Sequence, residues 1–265
     1  MTIPILHSAN AIERSYRTGE EPVLVSCSDR NVYICKYMRS SAAAYKLACE
    51  VIGNQMAEAW GIDTPRAAFV KIAPAHWQDF GKLPHSSAMT IGSCRRENVM
   101  DITPTNYSFV SSNRNVLRQL LHIALFDLWI ANEDRNANNA NLLYDIGKPG
   151  LISIDYGCIL NTATYEYPLS PLTGTDSILS SELFCHLRSC ATDTDIRTIV
   201  SEMKRTYADR LTECQARVPV ILDAIPKSWN IPASLIQAKL SELFDLRWTQ
   251  SVWNCFVEYL KENAL

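Results

Sequence analysis

Two apolar arms flank a short polar turn near the start of the chain. In "PVLVSCSDRNVYICKYM" (22–38), runs of Val, Leu, Ile and Tyr lie either side of Ser28-Asp29-Arg30-Asn31, which predicts a β-hairpin. The period then changes. Leu47, Val51 or Ile52, and Met56 recur at helical spacing, with Ser40 or Ser41 as the expected cap and Gly61 as the stop, so a helix is predicted over 41–60. "RAAFVKI" (66–72), after Pro65, predicts another strand. Residues 74–113 are rich in Ser, Pro, Asn and Gly and are expected to connect two lobes, with one short strand in "SAMTIG" (87–92). A strong helix is predicted from 115 to 131, followed by the strands "ANLLYD" (140–145) and "GLISIDYG" (150–157). A Thr/Ser/Pro-rich loop over 158–177 leads to helical periodicity in 194–224, 231–246 and 248–262. There is no internal repeat. The expected fold is α+β, with a small β-rich N-terminal lobe and hinge over about 1–95 and a larger, mainly helical lobe over 96–265.

Composition narrows the class. The chain has 265 residues, 47% of them hydrophobic, enough for a sizeable core. A net charge of −3, with Lys and Arg scattered, leaves no basic stripe, and no direct nucleic-acid binding is expected. The longest apolar run, 120–131, contains His122 and Asp127 and falls short of the roughly 20 residues a membrane span needs, so no membrane association is expected. Nine cysteines form no CxxC or Cys/His cluster, and the start lacks the pattern of a secretory signal. Reduced thiols in the cytoplasm are expected. His76, His85, His122 and His186 have no metal-ligand spacing. Cys35 and the pair Trp248 and Trp253 read as core.

The chemistry sits in "NEDRNANNANLLYD" (132–145). It has five asparagines directly after Leu128, Trp129 and Ile130, more amides than a surface turn requires. Asn139 stands five residues after Asp134, and Asp155 follows sixteen later at the end of an apolar strand. Oxygen donors converging from a loop and a strand end suit Mg²⁺, which takes one or two carboxylates and leaves room for phosphate oxygens. A base Asp, an Asn five residues on, and an Asp followed two residues later by Gly match the phosphoryl-transfer template. Asn141, two residues after Asn139, competes for the amide position. Upstream, Lys36 in a strand can reach phosphates, and Glu50 in the next helix can pair with it, with Glu58 as an alternative.

With these residues in this order, the chain resembles the HipA-like kinases, and more distantly the phosphatidylinositol kinases, most strongly over 125–157 and weakly after 180. The resemblance implies a two-lobed protein-kinase-like fold that uses ATP and Mg²⁺. It makes Asp134 the catalytic base, Asn139 and Asp155 the metal ligands, Lys36 the ATP-phosphate lysine and Glu50 its partner. The G-x-G-x-x-G loop of ordinary protein kinases is missing. "SYRTGEE" (15–21) with Gly19 is the candidate phosphate loop by position. A phosphatidylinositol kinase has His where this chain has Asn136. The implied activity is serine/threonine protein phosphorylation. A lipid or small-molecule kinase and a non-catalytic pseudokinase remain the alternatives. Residues 158–185 contain no Lys or Arg, which disfavours an anionic headgroup as acceptor. The family also implies ATP and a protein substrate as partners, and a small regulatory or antitoxin protein.

Overall fold

The computed structural model describes residues 2–78, 89–163 and 165–262. Strands β1 (Ile5–His7), β2 (Arg14–Ser15), β3 (Val23–Ser26), β4 (Val32–Lys36), β5 (Ala67–Lys71) and β6 (Thr90–Cys94) form one sheet, in the order β1-β5-β6-β4-β3-β2. β1 joins β5 in parallel, and every other pairing is antiparallel. The predicted hairpin is β3–β4, and the strand after Pro65 is β5. Residues 87 and 88 of the strand expected over 87–92 lie outside the described residues, and β6 starts at Thr90.

Alternation along β4 sets up the site. Tyr33 and Cys35 enter a small core with Val23, Val25, Ala68 and Val70 on one face of the sheet. One residue on, Lys36 takes the opposite face, that of its register partner Ile91 and of Phe69. Helix α1 (Ala43–Trp60) packs on that face through β6 and is buried on nearly all sides. It ends at Gly61, whose φ of 85° only glycine adopts without strain. Neither Ser40 nor Ser41 caps it by side chain. The chain instead enters through backbone bonds from Ala43 to Ser40 and from Ala44 to Ser41, with Ala42 already in helical geometry.

Beyond α1 the elements are α2 (Pro74–Gln78), β7 (Val99–Asp101), α3 (Tyr107–Ser111), α4 (Asn115–Ile130), β8 (Leu142–Asp145), β9 (Gly150–Ser153), α5 (Ile159–Ala163), α6 (Glu182–Ser189), α7 (Asp193–Ala224), α8 (Ala233–Glu242) and α9 (Leu246–Glu262). β7, β8 and β9 form a second, antiparallel sheet. Besides β6, the one strand expected there, the stretch read as an irregular connector contains α2, β7 and α3, all too short to carry a clear period. A single core runs from α1 across α4 to α9. Two tryptophans tie it together: the Trp129 indole donates to the Leu243 carbonyl and the Trp248 indole to the Trp129 carbonyl. No helix among the described residues is long and apolar enough to cross a membrane.

Candidate active site

At the end of β4, Lys36 reaches three carboxylates. Its Nζ lies 2.5 Å from Glu50 on α1, 2.7 Å from Asp155 just past β9, and 2.7 Å from Glu20 in the β2–β3 loop. The structure therefore brings together Lys36, Glu50 and Asp155 and adds Glu20, which no spacing pattern marked. Burial opposes the charged form of Lys36, but the three carboxylates outweigh it and raise its pKa well above the usual lysine value. Burial also lifts Glu50 to about 7 against the pull of Lys36, with Asp155 adding to the rise. Asp155 is desolvated too, yet Lys36 and the Gly157 N–H hold it below the ordinary carboxylate value. Oxygens of Glu20, Glu50 and Asp155 lie within 4.8 Å of one another. Lys46 also reaches Glu20, at 3.7 Å, so two ammoniums face three carboxylates and the cluster keeps a small surplus of negative charge that a cation would offset.

Glycines make this approach possible. Glu50 Oε2 accepts the Tyr156 N–H at 3.1 Å, so the segment after β9 lies directly on α1. One turn along, a Cβ on Gly53 would stand 2.3 Å from Tyr156 Cβ. A Cβ on Gly157 would meet Glu50 Oε1 at 3.0 Å, which explains the glycine two residues after Asp155. Asp155 itself has φ 61°, a strained conformation for a non-glycine residue. Gly19 donates no such freedom. Its carbonyl accepts from Arg39, and nothing lies within 4 Å of where its Cβ would be. It lines a cleft of about 410 Å³ with Glu20, Lys36 and Lys46.

The asparagine-rich loop is held by a buried charge pair. Arg135 is fully buried, with Nε 3.4 Å from Asp127 on α4, one Nη on Ser153 Oγ at 2.5 Å and the other on the Ile154 carbonyl at 2.9 Å. Asp127 also accepts from Asn132, and burial still pushes its pKa up to about 6 against Arg135 and Asn132. The Asn132 side-chain oxygen Oδ1 in turn accepts the Asp134 N–H, which fixes the backbone of the expected base. Asn136 bonds backbone groups at Glu133, Asn138 and Asn139. These amides satisfy a loop that has left regular ladders.

Asn139 and Asn141 occupy different places. The Asn139 residue is exposed, and its carbonyl accepts the Asn136 N–H. Asn141 donates to Asp134 Oδ2 at 3.0 Å, while its carbonyl accepts the N–H of Ile154, the neighbour of Asp155. It is therefore Asn141 that stands between the two aspartates. Cys158 borders the same space. Burial raises its thiol to about 11, and Asp134, Asp155 and Glu20 add to the rise while Lys46 opposes it, so all four charges face it. The following turn is left-handed at Leu160, Asn161 and Thr162, and Glu133 holds it through Asn161 and Thr162.

Arg135 was open to detection from sequence: an arginine beside an apolar helix that contains one Asp calls for a buried pair. Glu20, Lys46 and Cys158 gave no signal.

A solved structure described as "Crystal structure of the golgi casein kinase" is similar at 12% identity and a TM-score of 0.44, with 97% of this chain and 76% of that chain covered. No curated protein matches. A family model described as HipA-like kinase matches residues 9–251. That span takes in every charged group of the cluster, from Glu20 to Asp155, and nearly all of the core beneath it: the chain belongs to the HipA-like kinase family.

Proposed function

We propose that the protein is an ATP-dependent, Mg²⁺-requiring kinase that phosphorylates serine or threonine hydroxyls of a protein. The observation that carries this is the Lys36 cluster, a cation held by Glu50 beside a carboxylate, Asp155, with acidic surplus around it. The donor set fits the group. Carboxylate and amide oxygens are the hard ligands Mg²⁺ prefers, and Asp155 and Asn141 would hold it. The amide N–H of Asn141 is spent on Asp134, which leaves its carbonyl oxygen to accept. This departs from the Asn139 expected by spacing, and the support is the exposure of Asn139 against the position of Asn141. When bound, Mg-ATP supplies the phosphoryl group and neutralises its charge.

The chain's own residues do the rest. Lys36 binds and orients phosphate oxygens, and Glu50 keeps its ammonium in place when Glu20 and Asp155 turn to other partners. Asp134 accepts the proton of the acceptor hydroxyl, its carboxylate oriented by the Asn141 amide and its backbone by Asn132. Arg135 makes the loop rigid from beneath. The loop past Asp155 carries no Lys or Arg through residue 185, which favours a neutral or basic acceptor segment over an anionic headgroup.

Mg²⁺-dependent nucleotide affinity and turnover in Asp155→Ala and Asp134→Ala test the assignment. The first variant should lose nucleotide affinity. The second should retain it while turnover falls by about 10²–10⁴-fold. Equal loss of affinity in both removes Asp134 as the base. Failure of the wild-type protein to bind Mg-ATP removes the kinase activity itself.

A further inference from the structure

A second pocket, of about 370 Å³, opens at the other end of α1, walled by the α1 C-cap, α4, the β8–β9 turn and α7. Along the helix it is ten residues from Glu50, roughly 15 Å, and it does not depend on the nucleotide assignment. Arg118 and His122 from α4, Lys148 from the turn and Arg210 from α7 line it. Its acidic neighbours are engaged: Asp63 is paired with Arg96, and Glu202 with Arg118. Arg210 and Lys148 have no ion-pair partner among the described residues.

Arg210 is built into this position. Its Nη1 would be 2.7 Å from a Cβ on Gly61, so the glycine that ends α1 also admits the guanidinium. The carbonyl end of the helix attracts it, but a helix terminus carries only about half a charge. Three fixed cations against the Glu202 carboxylate leave a surplus of two positive charges facing one concave space. His122 registers that field: burial, then Arg210 and Arg118, push its pKa down to about 4 against Glu202.

We propose that this pocket binds a phosphoryl dianion, as inorganic phosphate or a small phosphate monoester, through Arg210, Lys148 and Arg118, with His122 becoming a donor when the anion is present. A dianion matches the surplus. Arginine forks suit phosphate oxygens, and the anion would reverse the field at His122. Lys148, Arg118, Arg210, Glu202 and Asp63 are the charged groups around that imidazole, and only the anion changes between the two states compared.

The probes are inorganic phosphate and O-phosphoserine, each against sodium chloride at matched ionic strength. Wild-type protein is compared with Lys148→Gln and Arg210→Gln. The readouts are the thermal midpoint and the NMR titration of His122, its resonance identified by loss in His122→Gln. Either phosphate probe should raise the midpoint above the chloride control and raise the His122 pKa by at least one unit. Losing one charged contact should weaken binding by roughly tenfold. Lys148 is exposed on a turn, so its variant keeps the test valid even if Arg210→Gln folds poorly. An unmoved His122, stabilisation no greater than with chloride, or equal phosphate binding in Lys148→Gln would each overturn the proposal.

Discussion

Replacing Gly53 with alanine sets two magnitudes against each other. Gly53 lies in the middle of α1, where alanine improves helix propensity by about 0.8–1.0 kcal/mol. From sequence alone the substitution should stabilise. In the folded protein the new Cβ would stand 2.3 Å from Tyr156 Cβ and 2.5 Å from its Cγ, well inside van der Waals contact. Those atoms are near the backbone and cannot swing away. Tyr156 is 2% exposed, its hydroxyl donates to Ser153, and its ring lies under Arg135. Either α1 or the segment after β9 must move by about an ångström, and overpacking of this kind costs about 1–3 kcal/mol, occasionally more. The clash should offset the propensity gain or exceed it, leaving a net loss of roughly 0–2 kcal/mol. The strain falls on the Tyr156 N–H bond to Glu50 and on Asp155, so Mg-ATP affinity should fall as well. Urea denaturation gives the stability, and nucleotide titration of the folded variant gives the second effect. A Gly53→Ala protein more stable than wild type, with unchanged nucleotide affinity, would refute the close approach of Tyr156 to α1.

Arg135→Met should cost about 3–5 kcal/mol, because it strands the buried Asp127 carboxylate. Asp127→Leu combined with Arg135→Met should recover much of that in denaturant melts, and no recovery would mean the pair is not the cause. His122 should contribute a stability loss of on the order of 2 kcal/mol as pH drops from about 6.5 towards 4, since the unfolded chain takes up a proton that the folded one refuses until about pH 4. Glu50 and Asp127, whose folded values are raised, contribute in the opposite sense. His122→Gln should remove the His122 loss, so the variant's denaturation midpoint should gain on the wild type's as pH falls from about 6.5 to 4, and a difference that stays constant with pH would refute the His122 contribution. Asn141→Ala should raise the Mg²⁺ requirement for ATP turnover, whereas Asn139→Ala should leave it nearly unchanged. The reverse result would restore the amide role to Asn139.

The chain's own periodicities determined the elements that frame the site: the β3–β4 hairpin, α1, α4 and the β8–β9 pair all announce themselves by runs or spacing long enough to carry a pattern. Lys36, Glu50, Asp134 and Asp155 were legible as chemical candidates because their order and spacing match the phosphoryl-transfer template. Short elements such as β1, β2, β7 and α3 were not legible, because two to five residues hold no period and draw their stability from the neighbour they pair with. Spacing pointed to Asn139, five residues after Asp134, with Asn141 as its competitor. What spacing does not show is where the loop re-enters β8: the Ile154 N–H bonds to the Asn141 carbonyl and brings Asn141 beside the strand end that carries Asp155, while Asn139 stays exposed. Glu20 reaches Lys36 across a loop with no regular structure, and the Arg210 pocket joins α1, α4, α7 and a turn. Such groups meet only when separate segments pack, and no local pattern encodes a distance between residues 60 and 210. Tertiary packing alone set those contacts, because burial and charge act through space rather than along the chain.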